Sequence, residues 1–85
     1  RFYEQELNYR PYFLMGEALG PGAFPSIAGR TYLKAIAIAG GFSYRAKRDV
    51  VYVIRADDPD QEEVKVDIDE KVQPGDIIRV AERLF

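Results

Sequence analysis

Any chemistry in this chain would have to come from carboxylates and basic groups, because the sequence contains no histidine and no cysteine. That removes the usual general base and metal ligand, all disulfides and every thiolate metal site. Glu17 and Asp76 are the two carboxyl groups that could be imagined as an acid/base pair. Such a pair must converge on one reacting atom, and nothing in the spacing brings these two together. Asp57, Asp58, Asp60, Glu62 and Glu63 form an acidic run that could attract calcium. An EF-hand loop needs a mid-loop glycine and a fixed ligand register; the run has neither and reads as a solvated turn. Arg45, Lys47 and Arg48, beside Tyr44, make the one basic cluster. It is small for a nucleic-acid patch, and the acidic run opposes it. Gly40-Gly41 looks superficially like a phosphate loop. It follows the helical segment, where the dipole is negative and phosphate is disfavoured. The residues therefore point to a non-enzymatic domain with no catalytic residue, cofactor or metal.

These groups must be positioned by a single domain, since the chain has 85 residues. A chain of that size buries roughly 60–65% of its unfolded surface, enough for one small core. An apolar fraction of 47% with 13% aromatics supports a folded domain. A net charge of −2 argues against nucleic acid as the main partner. The longest uncharged apolar run, residues 35–42, is too short to span a bilayer, and no stretch of these 85 residues reads as a signal peptide. The chain opens at Arg1 without an initiator methionine and is expected to be a fragment of something longer.

One helix anchors the reading. Thr31 supplies an N-cap hydroxyl, and Gly40-Gly41 supplies a stop in which Gly41, or Gly40 if the helix ends sooner, takes positive φ. Leu33, Ile36, Ala37 and Gly40 fall at i, i+3, i+4 and i+7, so that face is expected to meet a sheet. Residues 1–11 read as a lead-in, with an edge strand as the alternative for residues 1–10. The domain proper is residues 12–85. Residues 12–18 read as a strand, with Tyr12 and Leu14 on one side and Phe13 and Met15 on the other. Gly16 inside it marks a bulge or a close backbone approach. Gly20-Pro21-Gly22 reads as a tight hairpin turn, and residues 23–27 as a short edge strand interrupted by Pro25. The β-branched run at 50–55 predicts a central strand buried on both faces. Residues 64–68 alternate like a strand with one wet face. Pro74-Gly75 predicts a type II turn into a last strand at 77–81. The expected class is α+β: a small mixed sheet of about five strands with one helix across one face, in the order β-β-α-β-β-β, the β-grasp arrangement.

Four pieces in this order carry a resemblance. They are Met15-Gly16-Glu17-Ala18, Gly20-Pro21-Gly22, the helical stretch 35–42 with Ala39, Gly40 and Gly41 at its end, and Gln73-Pro74-Gly75-Asp76 followed by Ile77-Ile78-Arg79-Val80. Singly each recurs in unrelated proteins. Together, over residues 12–85, they resemble the soluble-ligand-binding β-grasp (SLBB) domain of bacterial polysaccharide export proteins. Ala18 stands where that family more often has valine, and Tyr32 where a small apolar residue is usual. The family's upstream export domain is absent from this stretch.

The resemblance implies a periplasmic module of an outer-membrane-associated protein that exports capsule or exopolysaccharide. Such proteins assemble into rings around a channel, and an inner-membrane polysaccharide copolymerase is a further implied partner. The implied role is structural and non-catalytic. The alternative is a monomeric module that binds a saccharide or another small solute, with Tyr3, Tyr9, Tyr12 and Tyr44 as rings able to stack on sugars. For the ring, the basic cluster Arg45, Lys47 and Arg48 and the acidic Asp57, Asp58 and Asp60 are the candidate interface. They flank the strand at 50–55 and are expected near its opposite ends, too far apart to neutralise each other.

Overall fold

The computed structural model describes residues 10–27 and 29–83. Residues 1–9 of the lead-in expected at residues 1–11, with Tyr3 and Tyr9, and the chain's last two residues lie outside that description. Along the chain come β1 (Tyr12–Gly16), β2 (Gly22–Phe24), α1 (Tyr32–Ile38), β3 (Val50–Ile54), β4 (Glu63–Asp67) and β5 (Ile77–Val80). The strands form one mixed sheet in the spatial order β2-β1-β5-β3-β4. β1 and β5 run parallel, with Phe13 opposite Ile77 and Gly16 opposite Val80; the other three pairings are antiparallel. The domain is therefore α+β, with a five-stranded mixed sheet and one helix.

Each strand follows from its residues. β1 alternates, burying Tyr12 and Leu14 while Phe13 and Met15 stay 43% exposed. β2 stops at Phe24, just before Pro25, and lies at the sheet edge, where a missing amide donor costs nothing. β3 is interior and its Val51 and Val53 are fully buried, but it is not the central strand. That place belongs to β5, whose Ile78 pairs with both Leu14 and Val53. A β-branched run reports burial; it does not report which neighbours a strand will find. β4 is the other edge, with Val66 buried and Val64 45% exposed.

The connection between β1 and β2 is wider than the tight turn expected at Gly20-Pro21-Gly22. Its last strand pair is Leu14 with Gly22. The intervening chain is drawn toward the end of α1: Ala18 bridges Phe42, and the Leu19 amide donates to the Gly41 carbonyl (3.0 Å). A side chain at Gly20 would run into the Ala39 carbonyl, so this approach requires glycine. Gly16 is held to the same standard. It has φ +91, and a Cβ there would collide with the Val80 carbonyl oxygen.

The helix has seven residues and every early amide finds an acceptor. Tyr32 N–H donates to Glu70 C=O (3.0 Å) and Leu33 N–H to Ile68 C=O (2.9 Å). The Thr31 hydroxyl oxygen accepts from Lys34 N–H (3.2 Å), as an N-cap should. At the other end Gly40 N–H donates to Ala37 C=O (3.1 Å) and Gly41 N–H to Ile36 C=O (2.9 Å). With Ala39 as C-cap, this pair of bonds is the Schellman motif. Gly40 is thus the residue just past the cap, and both glycines have positive φ, +105 and +98.

The face that α1 turns to the sheet differs from the expected one. Tyr32, Ala35, Ile36 and Ala39 are buried, whereas Leu33 is 46% exposed and Ala37 and Gly40 face solvent. The stripe keeps its i, i+3, i+4, i+7 spacing but starts one residue earlier. Only Ile36 belongs to both sets. The reason is polar: the Tyr32 hydroxyl reaches through the core to Asp76.

Candidate functional site

Asp76 is, among the described residues, the one fully buried charged-type residue of the core. It closes the turn begun by Gln73, whose carbonyl accepts from Asp76 N–H (3.2 Å), with Gly75 at φ +83 in the position a type II turn reserves for glycine. Its Oδ2 accepts two hydrogen bonds, from the Tyr32 hydroxyl (2.7 Å) and from Gln73 N–H (3.0 Å). Burial, then the bond and charge of Asp76, hold the Tyr32 hydroxyl well above the ordinary tyrosine range, against a smaller downward pull from Arg55. One carboxyl group thus pins the helix to the turn that launches the central strand. Its other oxygen, Oδ1, is buried with no hydrogen-bond partner.

Beside this turn lies a cavity of about 420 Å³, lined by Arg10, Arg55, Asp57, Gln73, Pro74 and Asp76. A second cavity of about 470 Å³ lies on the far side of Gln73-Pro74, where Ser26 and Lys71 contribute. The Ser26 hydroxyl is also buried without a partner.

Glu17 takes no part in this site. It follows the end of β1, whereas Asp76 precedes β5 in a parallel pair that aligns Phe13 with Ile77. At about 3.3 Å per residue the two carboxyl groups stand about 16 Å apart along the sheet. Glu17 instead accepts from the Ser43 hydroxyl (2.8 Å), clasping the chain just after the helix. The two carboxyls are not an acid/base pair.

The other singled-out residues divide between turns and ion pairs. Gly16, Gly40, Gly41, Pro74 and Gly75 shape backbone, Ala39 caps the helix, Pro21 leads into β2 and Gly22 opens it. In the basic cluster, Arg45 pairs with Glu82 (2.8 Å), Lys47 with Asp49 (3.5 Å), and the Arg48 guanidinium lies 5.9 Å from the Phe42 ring centroid. In the acidic run, the Asp58 carboxyl accepts from the amides of Asp60 (3.0 Å) and Glu62 (3.2 Å), bending the loop. Asp57 lines the 420 Å³ cavity. The two runs sit at the two ends of β3 and are satisfied separately. Among the described residues no group of three acidic side chains is placed to hold a metal ion. Of the tyrosines able to stack on sugars, Tyr12 is fully buried against Phe24 and Tyr44 is 74% exposed.

Arg10 and Arg55 were not singled out by sequence, and Tyr32 and Gln73 entered only through the resemblance, Tyr32 as a departure and Gln73 as part of a turn. Tyr32 did carry a signal, as the one polar-tipped ring on the helix. The other three come together only through folding. The chain matches no protein-family model, and no curated protein matches it.

Proposed function

We propose that the chain is a β-grasp domain of the SLBB type and a non-catalytic assembly module of a polysaccharide export protein. In this reading it works in the periplasm, within an outer-membrane-associated ring that passes capsule or exopolysaccharide and meets an inner-membrane copolymerase. The parallel β1–β5 pair at the middle of the sheet, with one helix against one face, supports the β-grasp assignment. One observation carries the non-catalytic role. The residues of the resemblance are spent on the fold: Gly16 on the approach to Val80, Gly40 and Gly41 on the helix stop, and Asp76 on Tyr32 and its own turn.

Ring contacts then fall to exposed and half-buried residues, with Arg45, Lys47 and Arg48 at one end of β3 and Asp57, Asp58 and Asp60 at the other. Because the Arg45 and Lys47 ion pairs are solvent-accessible, switching partners costs little, and each contact sets register more than affinity. The test is native mass spectrometry of the full-length protein, wild type and with Arg45, Lys47 and Arg48 reversed in charge. A closed ring weakened by the reversal, more so at low salt, is the expected result. A full-length protein that stays monomeric while binding saccharide saturably would replace this reading with the solute-binding one.

A further inference from the structure

We propose that copies of this chain meet head to tail, the outer face of α1 on one copy seated against the open sheet face of the next. The proposal rests on the assembly reading above. It names the apolar contact that supplies affinity where the charged ends of β3 set register.

The helix is apolar on the side where a surface helix is normally polar. It turns Leu33, Lys34, Ala37 and Ile38 outward, and Gly40 follows. Lys34 is the only charged residue in α1. Leu33 is 46% exposed and Ile38 51%. Leu19, 64% exposed, extends the patch past the helix end, since a side chain at Gly40 would touch its Cβ. A helix that is apolar nearly all round belongs in an interior, and clustered exposed apolar side chains mark a contact surface.

The same domain carries a second apolar patch on its opposite side. Register places Ala23, Phe13, Ile77 and Ile54 side by side in one row across four strands, on the sheet face away from α1. The row spans about 14 Å at the usual strand spacing. The seven-residue helix is about 10 Å long, so it can lie along the row.

Charge selects a head-to-tail contact over a twofold one. The apolar row ends at Glu63, which faces Ile54 from β4. Lys34 belongs to none of the ion pairs among the described residues. A helix seated on the row with its first turn toward β4 brings Lys34 to the Glu63–Arg79 pair, where it adds a second cation to the carboxylate. Helix against helix would instead crowd two copies of Lys34 onto one small patch. Sheet against sheet would double Arg79 and Lys65. Patches on opposite sides of one domain form a heterologous contact, the kind that builds rings or open stacks. Each patch has far fewer than the roughly 20–30 residues per side of a standard interface, so a single contact is weak.

The sequence has no cysteine, so introduced thiols report contacts without background. Chains with Ile38→Cys and Phe13→Cys are mixed in equal amounts at high concentration and treated with a short thiol-to-thiol cross-linker. Asp69→Cys, in an exposed turn, is the control partner. Random collision makes the mixed dimer about twofold more abundant than either like pair, and the proposed contact should raise that to about tenfold. A chain carrying both thiols should give a ladder of multimers. Leu33→Asp on the Ile38→Cys chain should return the mixed yield to the control level while circular dichroism shows the fold intact. An excess of Ile38→Cys like pairs would overturn the proposal in favour of a twofold contact. Control-level yields in every mixture would overturn it outright. Native mass spectrometry of the full-length protein separates the two readings. A charge-dependent ring with control-level cross-linking removes this contact and keeps the ring, whereas selective mixed cross-linking without a closed ring keeps this contact and removes the ring.

Discussion

The same strands present two different surfaces. On the helix side, Tyr12, Val51, Val53, Ile78 and Val80 are essentially dry, and the polar elements among the described residues are the buried Tyr32–Asp76 bond and the buried Tyr12 hydroxyl. On the other side, register brings Phe13, Ile77 and Ile54 into one row and Met15, Arg79, Tyr52 and Lys65 into the next. There Arg79 donates to both Glu63 oxygens (2.6 and 2.9 Å) and lies 4.7 Å from the Tyr52 ring centroid, while Phe13 and Met15 remain 43% exposed. One face is held by shape and burial, the other by exposed cross-strand pairs whose polar members keep contact with water. The contrast shows where stability resides, because burial is worth kilocalories and exposed ion pairs are not.

The sharpest way to break this contrast is to cut into the covered face. Ile36→Ala should cost about 2–5 kcal/mol in a denaturant titration, as it removes a fully buried side chain. Leu33→Ala, on the same helix but 46% exposed, should stay within about 0.5 kcal/mol. Equal losses would mean that both helix faces are buried. Gly16→Ala should cost more than about 1 kcal/mol, because φ is +91 and the Val80 backbone has no room to yield.

That helix contrast also marks the limit of what the sequence could tell. Two overlapping stripes share the same spacing, and by hydrophobicity the one containing Leu33 looks as good as the one containing Tyr32. The choice is made by Asp76, 44 residues from Tyr32, which no local pattern contains. Local signals fared better: Thr31 caps, Gly40 and Gly41 stop, Pro74-Gly75 turns, and β1 alternates, each because its cause lies within a few residues. The identity of the central strand was illegible for the same reason as the helix phase, since β5 earns its place through a parallel partner more than 60 residues away. Asp76 was visible as part of a turn, but the cavity beside it was not. Its arginines arrive from the approach to β1 and from the end of β3, and only the fold brings them together.

Titration sharpens the comparison with opposite signs on the two faces. Tyr32 is held neutral, so its folded-state pKa exceeds the unfolded value of about 10. Its contribution is complete below that value and is lost as pH rises through the folded one. Urea unfolding should therefore show stability falling above about pH 10, and Tyr32→Phe should flatten that fall. On the open face, the Arg79 bond lowers the Glu63 pKa, so its contribution is present above the ordinary glutamate range and fades as pH drops below it. With both side chains about one-third exposed, Glu63→Gln should cost less than about 1 kcal/mol, and added salt should shrink the difference.

The central claim is that a single buried bond, from the Tyr32 hydroxyl to Asp76 Oδ2, fixes the helix on the sheet and makes Asp76 an anchor of the fold. The most direct measurement is a double-mutant cycle of Tyr32→Phe and Asp76→Asn, read by urea unfolding at neutral pH. Tyr32→Phe alone should cost about 1–3 kcal/mol. The pair should couple by about 1 kcal/mol or more, the double variant losing less than the two single losses added together. Strict additivity would contradict the claim, leaving the two residues as neighbours that do not hold each other.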